Sequence, residues 1–142
     1  MKALYQKFLA LVGNLNDLPL LFFRLILAYG FLEPALMKLK GLQGIAEWFG
    51  SMDYPLPFLS ALLATVTESL GVVLLTLGLG TRIIAVPMMF TMIVATFTVH
   101  FSNGFPAGDN GFEIPLYYFL MLFALVVYGS GKISLDHLLR KR

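Results

Sequence analysis

A chain of 142 residues that is 58% hydrophobic and only 13% charged departs from soluble domains, where roughly a quarter of residues carry charge, and argues against a soluble fold. Its formal charge is only +2, and the basic residues sit in short clusters between apolar runs, so the broad basic patch of a nucleic-acid binder is absent. With no cysteine, disulfides, thiolate metal sites and iron–sulfur ligation are excluded, and any redox chemistry must use a bound cofactor or a partner.

Residues 1–17 carry Lys2 and Lys7 around a short apolar stretch. Phe8 to Val12 is too short for the apolar region of a signal peptide, and no small-residue cleavage pattern follows. Leu4, Phe8, Leu11 and Leu15 recur at helical spacing, which predicts an amphipathic helix lying on the inner membrane surface.

A helix rising 1.5 Å per residue needs about 20 apolar residues to cross the hydrocarbon core. Four runs qualify: residues 18–39, 58–79, 83–101 and 112–128. Short links between the last three imply antiparallel neighbours, hence an all-α, up-down transmembrane bundle of four helices over residues 18–130. In the link Gly78-Leu79-Gly80-Thr81, glycine accepts left-handed dihedrals and threonine can bond a free amide of the next helix.

The one long connection, residues 40–57, places Ile45, Trp48, Phe49 and Met52 on one helical face, so it should rest on the membrane or fold over the outer end of the bundle as a lid. Residues 131–142 form a basic, partly amphipathic tail suited to the inner leaflet. Lys2, Lys7, Arg82, Lys132, Arg140, Lys141 and Arg142 fall on one surface and Lys38 and Lys40 on the other; by the positive-inside rule both termini are cytoplasmic.

A charged group in hydrocarbon costs several kcal/mol unless paired, neutralised or hydrated, so Arg24, Glu33, Glu68, His100 and Glu113 are the best functional clues. Glu68 is mid-span on a small-residue face with Ala61, Ala64, Gly71 and Gly78, which points it into a packed interface. Arg24 is the only opposite charge at a compatible depth, which predicts a buried Arg24–Glu68 ion pair; such a pair can equally do no more than fix helix register.

Glu33, His100 and Glu113 map to the outer ends of three spans, with Tyr117 one turn beyond Glu113. Brought together, they would make a ligand-binding or proton-contact site for a quinone-like carbonyl, the one cofactor this chemistry suggests. Each has a plainer role open to it: Glu113 and His100 as helix-end charges, Glu33 as a wet residue near Lys38 and Lys40. Pro34 removes the helical partner of the Gly30 carbonyl and bends the chain beside Glu33, which makes room for ligand or water. No spacing motif supports a metal site at His100, Glu33, Asp109 and Glu113, and Met88 with Met92 is better read as packing than as copper ligation.

Four segments in this order resemble the DoxX family of small four-span membrane proteins. They are Phe23-Arg24-Leu25; Glu68-Ser69-Leu70-Gly71 running into Leu77-Gly78-Leu79-Gly80-Thr81-Arg82; His100 to Asn103-Gly104-Phe105; and Gly129-Ser130-Gly131-Lys132-Ile133-Ser134-Leu135-Asp136. The resemblance covers residues 20–137 and implies an inner-membrane protein, in some members linked to quinone-dependent thiosulfate oxidation or to oxidative-stress complexes. Where many relatives have a histidine–glycine pair, this chain has Glu33-Pro34-Ala35.

No complete catalytic constellation is present, so three functions stand open: a small subunit of a redox assembly with a redox partner protein, a non-catalytic membrane anchor or assembly factor, and a solute or ion transport component. Transport would run through a homo-oligomer, because four spans make a small transporter; no inverted repeat or second broken helix is visible in its favour.

Overall fold

The computed structural model describes residues 2–141; Met1 and Arg142, the latter one of the seven basic residues counted above, lie outside the described residues. Seven α-helices run along the described residues: α1 (Lys2–Gly13), α2 (Asp17–Lys40), α3 (Leu42–Ser51), α4 (Pro57–Leu77), α5 (Thr81–Ala95), α6 (Glu113–Tyr128) and α7 (Leu135–Arg140). The helical stretches through α2, α4 and α5 are long and apolar enough to cross a membrane, and α6 is a shorter apolar helix.

The four expected spans coincide with α2, α4, α5 and α6 to within a few residues, except that the third changes character near its end. Past α5 the helix widens into a π turn over Thr96–His100 and then tightens into a 3-10 turn over Phe101–Asn103. Neither proline nor glycine lies in that stretch to announce it.

α2 packs on α4, α4 on α5, α5 on α6 and α6 back on α2, which closes a ring of antiparallel neighbours. Its core joins Leu27, Ala28 and Phe31 of α2, Leu75 of α4, Ala85 and Met88 of α5, and Leu122 and Leu125 of α6. Met88 is fully buried and Met92 nearly so, as packing residues. The small-residue face of α4 is used along its whole length. Ala61 packs against α3, a Cβ on Gly71 would lie 2.4 Å from Met88 Sδ, and one on Gly78 would lie 1.7 Å from Arg24 Nη1. Close approach of backbones, rather than apolar burial, is what holds helices together in lipid.

α3 lies along the first half of α4 and buries Ala46 and Phe49, with Ile45 and Met52 partly covered. Trp48, expected on the same face, points outward and is about half exposed. The α3–α4 connection is pinned by Tyr54, which stacks on Phe49 and shares a 2.5 Å hydrogen bond with Thr98 Oγ1 in the π turn. α1 has no buried residue and makes no extensive contact with the ring.

Candidate functional site

The expected Arg24–Glu68 pair is not formed. Glu68 is buried as anticipated, but its Oε2 accepts from Lys38 Nζ at 2.8 Å. The register explains the exchange of partners. Arg24 lies level with Gly78 at the end of α4, so Arg24 to Lys38 climbs about 21 Å and Gly78 to Glu68 about 15 Å at 1.5 Å per residue. The remaining ~6 Å is within the reach of a lysine side chain folded inward from its helix end. Lys38, expected at the outer surface, is instead only 15% exposed, because α4 begins beyond the end of α2.

Arg24 instead belongs to a network at the end of the bundle that carries the α4–α5 turn and the C-terminal segment. Its side chain is 1% exposed, and Nη2 donates to Ile133 O at 2.5 Å, while Nε and Nη1 have no partner among the described residues. The Asp136 carboxylate is close enough to act on it electrostatically. Asp136 also caps α5: Oδ1 accepts from Gly80 N at 2.8 Å and Oδ2 from Thr81 N at 3.2 Å. A carboxylate on the free amides of a helix start satisfies those donors and complements the dipole.

The glycines of the turn behave as expected, Gly78 at φ 67° and Gly80 at φ 57°, but the capping oxygen comes from Asp136 and the buried Thr81 hydroxyl has no partner among the described residues. Lys132 N donates to Asp17 Oδ1 at 2.9 Å, which ties the same segment to the start of α2. The tail is therefore docked on the bundle as well as basic.

His100, Glu113 and Tyr117 do come together at the opposite end, in the service of a loop. Gly104 to Phe112 folds back on itself through Gly111 N to Pro106 O at 2.9 Å and Phe112 N to Gly104 O at 3.0 Å. Glu113 Oε2 accepts from Ala107 N at 2.9 Å and Oε1 from Tyr117 Oη at 3.1 Å. His100 Nδ1 lies 2.8 Å from Asn110 O, which also accepts from Asn103 Nδ2. Phe105 and Phe112 stack edge to face over this turn. The plainer reading of Glu113, a helix-start carboxylate, is the one its bonds match. Glu113→Ala should leave the bundle folded but raise hydrogen exchange at the Ala107 amide by about tenfold, the loss expected for one charge-assisted bond of ~1.5 kcal/mol; unchanged exchange would show the loop is held by its backbone alone.

Glu33 is placed elsewhere. Its side chain is exposed on the outward face of α2, in an open cleft of about 500 Å³ whose walls are Tyr29, Gly30, Leu32, Leu36, Met37 and Lys40. Neither His100 nor Glu113 lines it, so the expected convergence of three spans resolves into a loop lock and a separate cleft. The helix continues through Pro34, and the space over Gly30 on the inner side is taken by Tyr118, whose Oη would be 1.8 Å from a Cβ there. Among the described residues no group of three His, Asp or Glu side chains is arranged to hold a metal ion.

Comparison with known proteins places these features in a family. The model of the family described as DoxX matches residues 19–101. An uncharacterized protein of Haemophilus influenzae is 33% identical over 134 residues, covering 89% of this chain and 86% of the relative. A Bacillus subtilis protein named "Putative oxidoreductase CatD" is 34% identical over 118 residues, 82% of this chain and 83% of its own. The Escherichia coli "Inner membrane protein YphA" is 30% identical over 129 residues, 87% and 92% respectively. No solved structure matches the chain.

Proposed function

The chain belongs to the DoxX family of membrane proteins, and from that premise we propose that it is a small membrane subunit of a redox assembly that holds a quinone or a similar apolar ligand beside Glu33. The observation that carries this reading is a carboxyl on the outward face of a membrane-spanning helix, in an open groove of about 500 Å³ along α2 that is mainly apolar and ends at Lys40. A carboxyl in that position calls for a partner, and the volume falls in the range of small-molecule sites. Opening sideways, the cleft admits a ligand dissolved in the bilayer. The redox character is supported by the name of the Bacillus subtilis relative.

A bound quinone would supply two-electron, two-proton exchange. What this chain offers is a carboxyl that accepts from a quinol hydroxyl when ionised and donates to a quinone carbonyl when protonated, with Tyr29, Leu36 and Met37 as apolar walls. Lacking cysteine, the chain leaves electron delivery to a partner protein.

Purification with native lipids should recover bound quinone, and Glu33→Gln should lower that content about tenfold, as loss of one charge-assisted contact predicts. Quinone-free protein, or an unchanged content in the variant, would overturn the proposal. A non-catalytic anchor or assembly factor is the second reading; it draws support from α1, whose apolar residues are all exposed. Under that reading, deletion of residues 1–13 abolishes partner capture while quinone plays no part.

The inner-membrane relative supports residence in a bacterial inner membrane, and the seven-to-two basic asymmetry supports cytoplasmic termini. A C-terminal fluorescent fusion that folds only in the cytoplasm should therefore be bright, and a dark one would reverse the orientation.

A further inference from the structure

We propose that the second cleft of the molecule, at the end holding the C-terminal segment, is a site for the phosphate of an anionic lipid headgroup. The cleft measures about 440 Å³ and is walled by Arg82, Ile83, Tyr128, Lys132, His137 and Arg140, with the Gly129–Gly131 backbone at its side. Arg82 spends one guanidinium nitrogen on Val127 O at 3.1 Å. Its other nitrogens, the His137 ring and the Arg140 guanidinium have no partner among the described residues.

Two acids share the wall, and both are already engaged. Asp136 holds the amides of Gly80 and Thr81, and Asp17 holds the Lys132 amide at 2.9 Å with its ammonium at 3.7 Å. The charge left seeking a partner is positive. Arginine's planar fork suits a phosphate, and basic pockets between spans at one membrane face are where acidic headgroups settle.

A second, independent feature selects a lipid over a free anion. Ile83 is 81% exposed and Tyr128 71% exposed, and the outward stripe of α5 continues from Ile83 through Val86 and Phe90 at 56% and 67%. A headgroup held by Arg82 and Arg140 would lay its acyl chain along that stripe. Inorganic phosphate could use the same cations but would gain nothing from the apolar track.

The full-length protein, released from detergent micelles in a native mass spectrometer, tests this with phosphatidylglycerol, phosphatidylcholine and inorganic phosphate added separately and in competition. Phosphatidylglycerol should be retained in preference to phosphatidylcholine. Arg140→Gln, at an exposed side chain with no internal bond, should weaken retention about fivefold, and R82Q with R140Q about 25-fold, at the ~1 kcal/mol expected per basic residue near a membrane surface. Lys7→Gln, on α1, should change nothing. Equal retention of the two lipids, wild-type retention by the double variant, or complete displacement of phosphatidylglycerol by inorganic phosphate would each overturn the proposal, the last by showing a soluble-anion site.

Discussion

Lys38→Met is expected to lower the stability of the bundle by about 3–5 kcal/mol, the cost of stranding one member of a buried ion pair, and Lys38→Met combined with Glu68→Met is expected to recover most of that loss. Glu68 and Lys38 side chains are 5% and 15% exposed and meet at 2.8 Å, so neither charge has water to fall back on. Removing the ammonium leaves the carboxylate facing Ala64 and Gly71 on its own helix face, which offer no donor. Removing both replaces a desolvated pair by two flexible apolar side chains of similar length, a change that such pairs often tolerate.

Unfolding in mixed micelles, followed for the wild type, both single variants and the double, completes a double-mutant cycle. Single variants as stable as wild type would show that the pair contributes nothing. A double variant as unstable as the singles would show that packing, and not charge, is at stake. The pair also has a positional consequence. It fixes the last turns of α2 against α4, and those turns carry Leu36, Met37 and Lys40 of the proposed quinone cleft on their opposite side. Lys38→Met should therefore loosen quinone retention as a secondary effect, whereas Glu33→Gln should reduce retention at unchanged stability.

The fold was legible because lipid imposes a simple rule: apolar runs of about 20 residues bounded by glycine, proline and charge are helices. The depth of each residue was not legible in the same way. The expected pairing sets Arg24 at a depth compatible with Glu68, which holds only if α2 and α4 begin and end at common planes, whereas α4 starts beyond the end of α2 and α3 folds back along it. That offset moves Arg24 to the turn at Gly78 and brings Lys38 to Glu68. A helix that doubles back inside a loop leaves no trace in hydropathy.

The candidate site divides along the same line. Tyr117 beside Glu113 follows from four-residue spacing on one helix and is seen. Separation of Glu33 from His100 depends on which way α2 is rotated in the ring, and the nearly continuous apolar composition of that helix gave no strong face to read. The capping role of Asp136 had one available signal, an acid in an otherwise basic tail, which a search for unpaired helix starts would have matched to Thr81. Three of the four segments that carry the family resemblance, around Arg24, Leu77–Arg82 and Gly129–Asp136, prove to be one structural cluster.

That cluster sets up the second large effect. Gly78→Ala and Gly80→Ala alter two glycines of one turn that share a left-handed backbone, at φ 67° and 57°, yet they should differ sharply in cost. Gly80 has nothing within 4 Å of its would-be Cβ, so alanine there meets only the backbone preference, about 1 kcal/mol. At Gly78 the added carbon would lie 1.7 Å from Arg24 Nη1 and 2.6 Å from Ser134 Cβ. The fully buried guanidinium has nowhere to retreat without giving up Ile133 O, and Ser134 cannot shift without dragging Asp136, whose amide donates to Gly78 O at 3.0 Å. Crowding and backbone strain together should cost about 2–4 kcal/mol. Because the displaced groups are Ser134 of the C-terminal segment and the α2 guanidinium that holds its Ile133 O, the loss should be local first: trypsin cleavage after Lys132 should accelerate by at least about tenfold in Gly78→Ala, at ~1.4 kcal/mol of local opening per decade, and little in Gly80→Ala. Equal cleavage and equal stability in the two variants would mean that the turn is held by its glycine dihedrals alone and that Arg24 plays no part in docking the tail.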